Sequence, residues 1–295
     1  MIRLFILVIA LFFVLPEGVV AQELSYGFRV GLNTSTFLGD KEKDNDDNSL
    51  ESFSMNTGFH VGGGVRIELT ELFGIRTEFL FTQKGTKRTY EGPSYFIFRD
   101  INGERIFTTG NKTVSLNIAN AYIDFPILAY GKITDRLEVF GGGYFGFLVG
   151  STASGEVIYT DGRVPNNNNV IDRLEVALDY NYSRDEPGEI IGAAANIDVT
   201  VGNENVQIPN TLTAYYDLDT KDGKPYKILN AGLSAGAAYF LNGGLYMSVI
   251  GNYGLVDVSR TAMDFSNFAT TSFDFVTRDD RDVNLSIQFS LGFSF

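Results

Sequence analysis

Three places in the sequence hold residues whose types could do chemistry. His60 is the only histidine in 295 residues. A lone imidazole works as a general base only beside a nucleophile, and no neighbour in sequence has a recognisable nucleophile setting. Gly141-x-Gly143-x-x-Gly146 spells a dinucleotide fingerprint. That fingerprint needs a strand, a tight turn and a helix N-terminus, whereas Tyr144–Val149 continues as a strand. Asp44-x-Asp46-x-Asn48 opens like a calcium loop. Ser49 stands where such a loop needs Gly and Met55 where it needs Glu, so the plain reading is a solvated acidic loop. The sequence therefore predicts no catalytic residues, no cofactor and no metal. His60 falls on the polar side of an alternating stretch with Arg66 and Glu68, which suits an imidazole held in a polar network.

The elements that must carry these residues are strands. From Val283 every odd position to Phe295 is apolar and every even one is polar or Gly. A period of two marks a strand with one oily and one wet face. Ile287, Phe289, Leu291, Phe293 and Phe295 then form the membrane-facing side of a C-terminal strand, the pattern of a transmembrane barrel. The net charge of −13 argues against nucleic acid, and the absence of Cys excludes disulfides and a lipid anchor. Met1–Ala21 reads as a signal peptide. Arg3 precedes the apolar run Leu4–Leu15, which is too short to cross a bilayer as a helix, and Val19-Val20-Ala21 is a small-residue cleavage site.

Taken in order, residues 22–295 predict an all-β, eight-stranded antiparallel up-and-down transmembrane β-barrel. The strands are Leu24–Phe37, Ser54–Leu69, Phe73–Tyr90, Lys112–Tyr130, Leu137–Gly150, Ile228–Phe240, Leu245–Val258 and the C-terminal strand. The connections alternate short and long, as in outer-membrane barrels with short periplasmic turns and long extracellular loops. Asp40–Asn48, Glu91–Asn111 and Ser259–Asp280 read as long loops. The third long connection, residues 151–227, reads as a β-rich extracellular insertion. Its alternating runs are Leu174–Tyr182, Ile191–Val201 and Val206–Leu218, the last two joined as a hairpin. A ten-stranded barrel using that hairpin is the alternative. Facing in the Gly-rich fifth strand is ambiguous.

The wet faces place Arg29, His60, Arg66, Glu68, Arg76, Glu78, Asp124 and Gln288 in the lumen. Eight strands leave an interior that side chains fill, so these groups should plug it with near-balanced charge. Tyr26, Phe73, Tyr90, Phe293 and Phe295 are candidates for interfacial girdles.

AYIDFPILAY at Ala121–Tyr130, GGGYFGFL at Gly141–Leu148, AGLSAGAAYFL at Ala231–Leu241 and NYGLVDVS at Asn252–Ser259 resemble the PorT-like outer-membrane β-barrel family of Bacteroidetes. The first carries that family's Tyr-x-acidic-x-Pro-x-Leu strand as Tyr122, Asp124, Pro126 and Leu128. The resemblance covers the eight strands and not 151–227. It implies an integral outer-membrane protein, in some relatives tied to secretion, with no catalytic residues to carry over. The final Phe resembles the signature read by the outer-membrane assembly machinery.

The functional expectation is a non-enzymatic barrel in the bacterial outer membrane. Its signal peptide is removed, its termini are periplasmic, and its extracellular loops bind an envelope or extracellular protein or glycan, or support assembly or secretion. Its other partners are outer-membrane lipid and the assembly machinery. The rivals are a narrow channel, a lipid-modifying enzyme using His60, and a soluble barrel of lipocalin type with apolar residues inside.

Overall fold

The computed structural model describes residues 23–99, 105–165, 170–189, 196–201, 204–271 and 274–295. The leader Met1–Ala21 and the segment Ile191–Ala195 lie outside the described residues. The strands are β1 (Glu23–Leu38), β2 (Glu51–Glu68), β3 (Phe73–Arg99), β4 (Arg105–Lys132), β5 (Leu137–Arg163), β6 (Val170–Ile171), β7 (Leu174–Asn181), β8 (Asn196–Val201), β9 (Glu204–Pro209), β10 (Thr211–Leu212), β11 (Leu229–Phe240), β12 (Leu245–Gly254), β13 (Phe265–Thr271), β14 (Asp274–Thr277) and β15 (Val283–Ser294). No helix among the described residues is long and apolar enough to cross a membrane.

Eight of these strands pair in chain order around a closed ring: β1, β2, β3, β4, β5, β11, β12 and β15. Every neighbouring pair is antiparallel, and β15 closes on β1 from Gly27↔Ser294 to Leu38↔Val283. Closure leaves no unpaired sheet edge around the ring. Both ends of the ring's chain path, with the short turns Leu69–Leu72, Ile133–Arg136 and Leu241–Gly244, lie at one end of the ring. The long connections lie at the other, here named the loop end. The hairpin β8–β9 forms its own two-stranded sheet outside the ring.

Three ring strands are far longer than the sequence predicts. β3, β4 and β5 run 27, 28 and 27 residues, against the roughly 9–11 a tilted strand needs to cross hydrocarbon. Residues 91–99 and 105–111, expected within a loop, instead continue β3 and β4 as paired strands, with Glu91↔Thr113 and Arg99↔Arg105 in register. Residues 151–163, expected in the insertion, continue β5. The ladder changes partner here: below Leu148, β5 pairs with β11, and from Thr152 it pairs with β7. The fork is stitched by Leu148 N–H to Ile228 O at 2.8 Å and by Tyr182 N–H to Ser151 O at 3.1 Å.

The reason the strands outrun their sequence signal is a change of face. On β4 the outward residues Ile123, Phe125, Ile127 and Ala129 are apolar, but further up Thr113, Ser115 and Asn117 point outward while Leu116 and Ile118 are buried. On β5 the register against β4 skips Val149, since Tyr122 opposes Leu148 and Ala121 opposes Gly150. That extra residue reverses which positions face inward. Phe140 and Tyr144 are buried below it, Ala153, Val157 and Tyr159 above it. The lower ring is thus apolar outside, and the upper ring is apolar inside, as in a protein surrounded by water.

The main apolar core accordingly sits at the loop end. It joins Phe96, Phe98, Leu116, Val157 and Tyr159 to Val176, Leu178, Val206, Ile208 and Leu212 of the insertion. Tyr90, expected in a girdle, is buried here, its hydroxyl donating to Pro93 O at 2.5 Å. Tyr26, Phe73, Phe293 and Phe295 are exposed near the termini, where Tyr26 stacks on Phe295 and Phe28 on Phe293.

Candidate functional site

The lower ring places its first candidate site in the lumen. Arg29, on β1, is at its centre: Nε donates to Glu78 Oε2 at 2.9 Å, and Nη1 donates to Gln288 Oε1 at 3.2 Å and to Ser290 Oγ at 2.9 Å. Arg76 lies 3.7 Å from Glu78 and stacks its guanidinium 3.6 Å from the Phe140 ring centroid. His60 contacts Asn33 Oδ1 through Nδ1 at 2.5 Å and Ser290 Oγ through Nε2 at 2.8 Å. Gly31 makes room for that ring, because a Cβ there would come 2.7 Å from His60 Cε1.

The remaining predicted lumen residues pair elsewhere. Arg66 forms a two-pronged bond to Glu138 and lies 4.1 Å over the Tyr130 ring. Asp124 pairs with Lys84 at 2.6 Å, and Lys84 also sits 4.4 Å over Tyr144. Glu68 does not join the buried network. It pairs with Lys132 at 2.5 Å in a part-exposed position near the termini. Lys84 and Glu138 are the lumen charges that the eight-residue sequence set misses. Lys84 continues the even-numbered run Arg76, Glu78 and Thr82, so its signal was present; Glu138 was hidden by the ambiguous facing of β5.

This network is packed, not open. Two voids touch it, of about 30 and about 10 Å3. Arg29, Arg66, Arg76 and Lys84 face Glu78, Glu138 and Asp124. The extra cation, Arg76, is stabilised against an aromatic face. The lumen is not polar throughout, since Leu128, Tyr130, Phe140, Tyr246 and Ile250 form a second apolar cluster inside it.

Ser290, His60 and Asn33 stand in the hydrogen-bond order of a hydrolase triad, a nucleophile that the sequence does not reveal. Arg29 donates to the same Ser290 oxygen and lies 3.2 Å from His60 Nε2. A cation therefore occupies the space in which a substrate carbonyl would approach, and the adjoining voids are too small for a substrate.

Phe289, Leu291, Phe293 and Phe295 are exposed and Ile287 is half-buried, while Ser286, Gln288 and Ser290 are buried. Gly141, Gly143 and Gly146 lie within β5, with no helix after them. The Asp44 carboxylate accepts the backbone N–H groups of Asp46 and Asn48, an ordinary Asx turn.

A second site lies at the loop end, and sequence reading missed it. Two adjoining cavities of about 240 and about 170 Å3 share Lys112, Tyr180, Tyr182, Leu212, Asp217 and Phe265 in their walls. Phe96 and Tyr95 flank the Lys112 ammonium at 5.7 and 4.9 Å from their ring centroids. Burial pulls the Lys112 pKa down and pushes the Asp217 pKa up, each partly opposed by the other's charge. Along one side, Arg88 pairs with Glu51, and Arg278 bonds Glu51 at 3.1 Å and also Asp280. Burial raises Asp264 to about 7 against the pull of Arg88 and Arg278, with Asp280 adding to the rise. Burial likewise raises Asp282 to about 6, although Ser259 donates to it.

A closed ring, an oily outer belt and a filled, charged lumen meet a match over residues 20–260 to the family described as outer membrane protein beta-barrel domain. The chain belongs to this family. Its members' place is the bacterial outer membrane, and the exposed apolar side chains of the lower ring are suited to acyl chains. No curated protein sequence matches the chain. Among solved structures, Ail, the attachment invasion locus protein of Yersinia pestis, is similar at 9% identity and TM-score 0.35, covering 92% of this chain and 99% of that one. OprG from Pseudomonas aeruginosa is 7% identical with TM-score 0.34, covering 93% and 97%. The outer membrane protease OmpT from Escherichia coli is 8% identical with TM-score 0.29, covering 95% and 99%.

Proposed function

We propose that this outer-membrane barrel is a non-enzymatic anchor with a closed lumen, and that its loop end does the binding. The observation that carries this reading is the Arg29 network, in which ion pairs between β1 and β3, joined by hydrogen bonds to β15, fill the cross-section. Buried ion pairs of this kind are expensive to separate, with about 3–5 kcal/mol lost when one partner is removed. Opening a path would break several together. The loop end is extracellular and the termini are periplasmic, because short turns and termini share one end as outer-membrane barrels require. Residues 151–227, together with the extended β3–β5, then stand outside the cell, facing a protein, a glycan or a smaller ligand. The leader Met1–Ala21 is removed on export and the C-terminal strand is read by the assembly machinery, and the likeness of AYIDFPILAY to the PorT-like strand supports a PorT-like kinship.

Single-channel recording in planar bilayers tests the closed lumen. Inserted protein is expected to give no steady conductance, and a reproducible open level would overturn the reading. The triad order of Ser290, His60 and Asn33 favours a second reading, a serine hydrolase. A fluorophosphonate probe is expected to leave folded protein unlabelled, because Arg29 and the packed walls deny it access. Labelling at Ser290, lost in His60→Ala, would replace the anchor with an enzyme.

A further inference from the structure

The cavities at the loop end contain charged groups that the fold leaves unsatisfied, and two of them, Lys112 and Asp217, line both cavities. Lys112 is buried, yet its ammonium makes no hydrogen bond or ion pair to any described residue; the rings of Tyr95 and Phe96 flank it, and the Asp217 and Glu42 carboxylates act on it only at a distance. Asp217 Oδ1 is buried with no hydrogen-bond partner. The two groups line the same cavities without touching each other, although each feels the other's charge. Unpaired buried charge is costly, and native structures rarely keep it without a use.

The chemistry of an occupant follows from that pair. A simple anion would satisfy Lys112 but crowd the Asp217 carboxylate. A simple cation would do the reverse. A molecule with both charges, a short distance apart, satisfies both. The walls supply the rest: Tyr180, Tyr182 and Phe265 offer flat apolar faces, and binding sites commonly combine such walls with a few convergent polar groups. A void of about 150 Å3 takes a benzene-sized ring, so the larger cavity, about 240 Å3, has room for a ring and a short polar head.

We propose that this chamber binds a small zwitterion with an apolar side chain, the chemistry of a free α-amino acid, its carboxylate on Lys112 and its ammonium on Asp217. The proposal rests on the reading that the loop end, not the lumen, is the binding part of the molecule.

The chain has no Trp, so indole fluorescence from an added ligand is free of protein background. The test titrates full-length protein, folded in detergent micelles, into L-tryptophan, tryptamine and N-acetyl-L-tryptophan, with empty micelles as reference. Saturable binding of L-tryptophan is expected. Tryptamine lacks the carboxylate and N-acetyl-L-tryptophan the ammonium, and each should bind about tenfold to hundredfold more weakly, the loss of one charged hydrogen bond. Lys112→Met should abolish the preference over tryptamine, and Asp217→Asn the preference over N-acetyl-L-tryptophan, with β-sheet circular dichroism retained in both. The proposal is overturned if the wild type binds neither L-tryptophan nor, by calorimetry, L-leucine. Equal binding of all three indoles, or preferences unchanged in the variants, would also overturn it. A protein that neither conducts nor binds sinks the amino-acid ligand alone, whereas steady conductance sinks the closed-lumen reading.

Discussion

Two aspartates at the loop end make stability respond to pH. Asp264 and Asp282 keep their protons in the folded protein up to about 7 and about 6, whereas the unfolded chain loses them near its ordinary value of about 4. Between those limits the folded state holds more protons, so stability falls as pH rises. Glu51 opposes this only in acid. Burial pushes it up, but Arg88 and Arg278 hold it below the ordinary glutamate value, so its contribution is lost as pH falls past the usual carboxylate range. Urea unfolding followed by near-ultraviolet circular dichroism of the tyrosines should give a higher midpoint at about pH 5 than at about pH 8. Asp264→Asn should narrow the gap, and a higher midpoint at the alkaline pH would contradict the assignment. Residue by residue, the lumen was readable because alternation alone puts Arg29, Arg76, Glu78 and Gln288 on one side. Their partners were not, because which charges meet across a ring depends on strand stagger.

Strands β3, β4 and β5 each serve two solvents, and that explains what sequence reading could and could not see. On β4 the exposed outward position is apolar at Ile127, suited to hydrocarbon, and polar at Asn117, suited to water. Ile127→Arg should cost about 2–4 kcal/mol in a lipid bilayer, the penalty of a cation deep on the lipid face. Asn117→Arg should stay within about 0.5 kcal/mol of wild type. Urea titration of protein folded into vesicles measures both, and equal costs would show that the apolar belt does not end between these sites. The alternation of apolar outward residues stops where the belt stops. A reader following that signal ends β3 at Tyr90 and β5 at Gly150, although the ladders run on to Arg99 and Arg163. Val149 adds a second obstacle, since a one-residue bulge reverses the facing of everything after it on β5 and leaves no mark in composition.

At the scale of the molecule the chain builds two bodies with opposite rules on one set of strands. The ring below the fork keeps charge inside and oil outside; the body above it keeps oil inside and places its polar residues outside. The eight-strand order of the ring was legible because eight alternating stretches and alternating connection lengths admit few arrangements. The upper body was legible only as β-rich, since β5 there exchanges its ring partner β11 for β7, and β7 pairs in parallel with the two-residue β10. Its chamber depends on Lys112 and Asp217, far apart in sequence, lining the same cavities. The side chains that fill the lumen are part of the polypeptide itself, a stopper that osmotic load cannot dislodge. On the proposed closed-lumen reading, each added copy leaves the envelope as leak-tight as before, and a cell can crowd its outer membrane with this protein without lowering its electrical resistance.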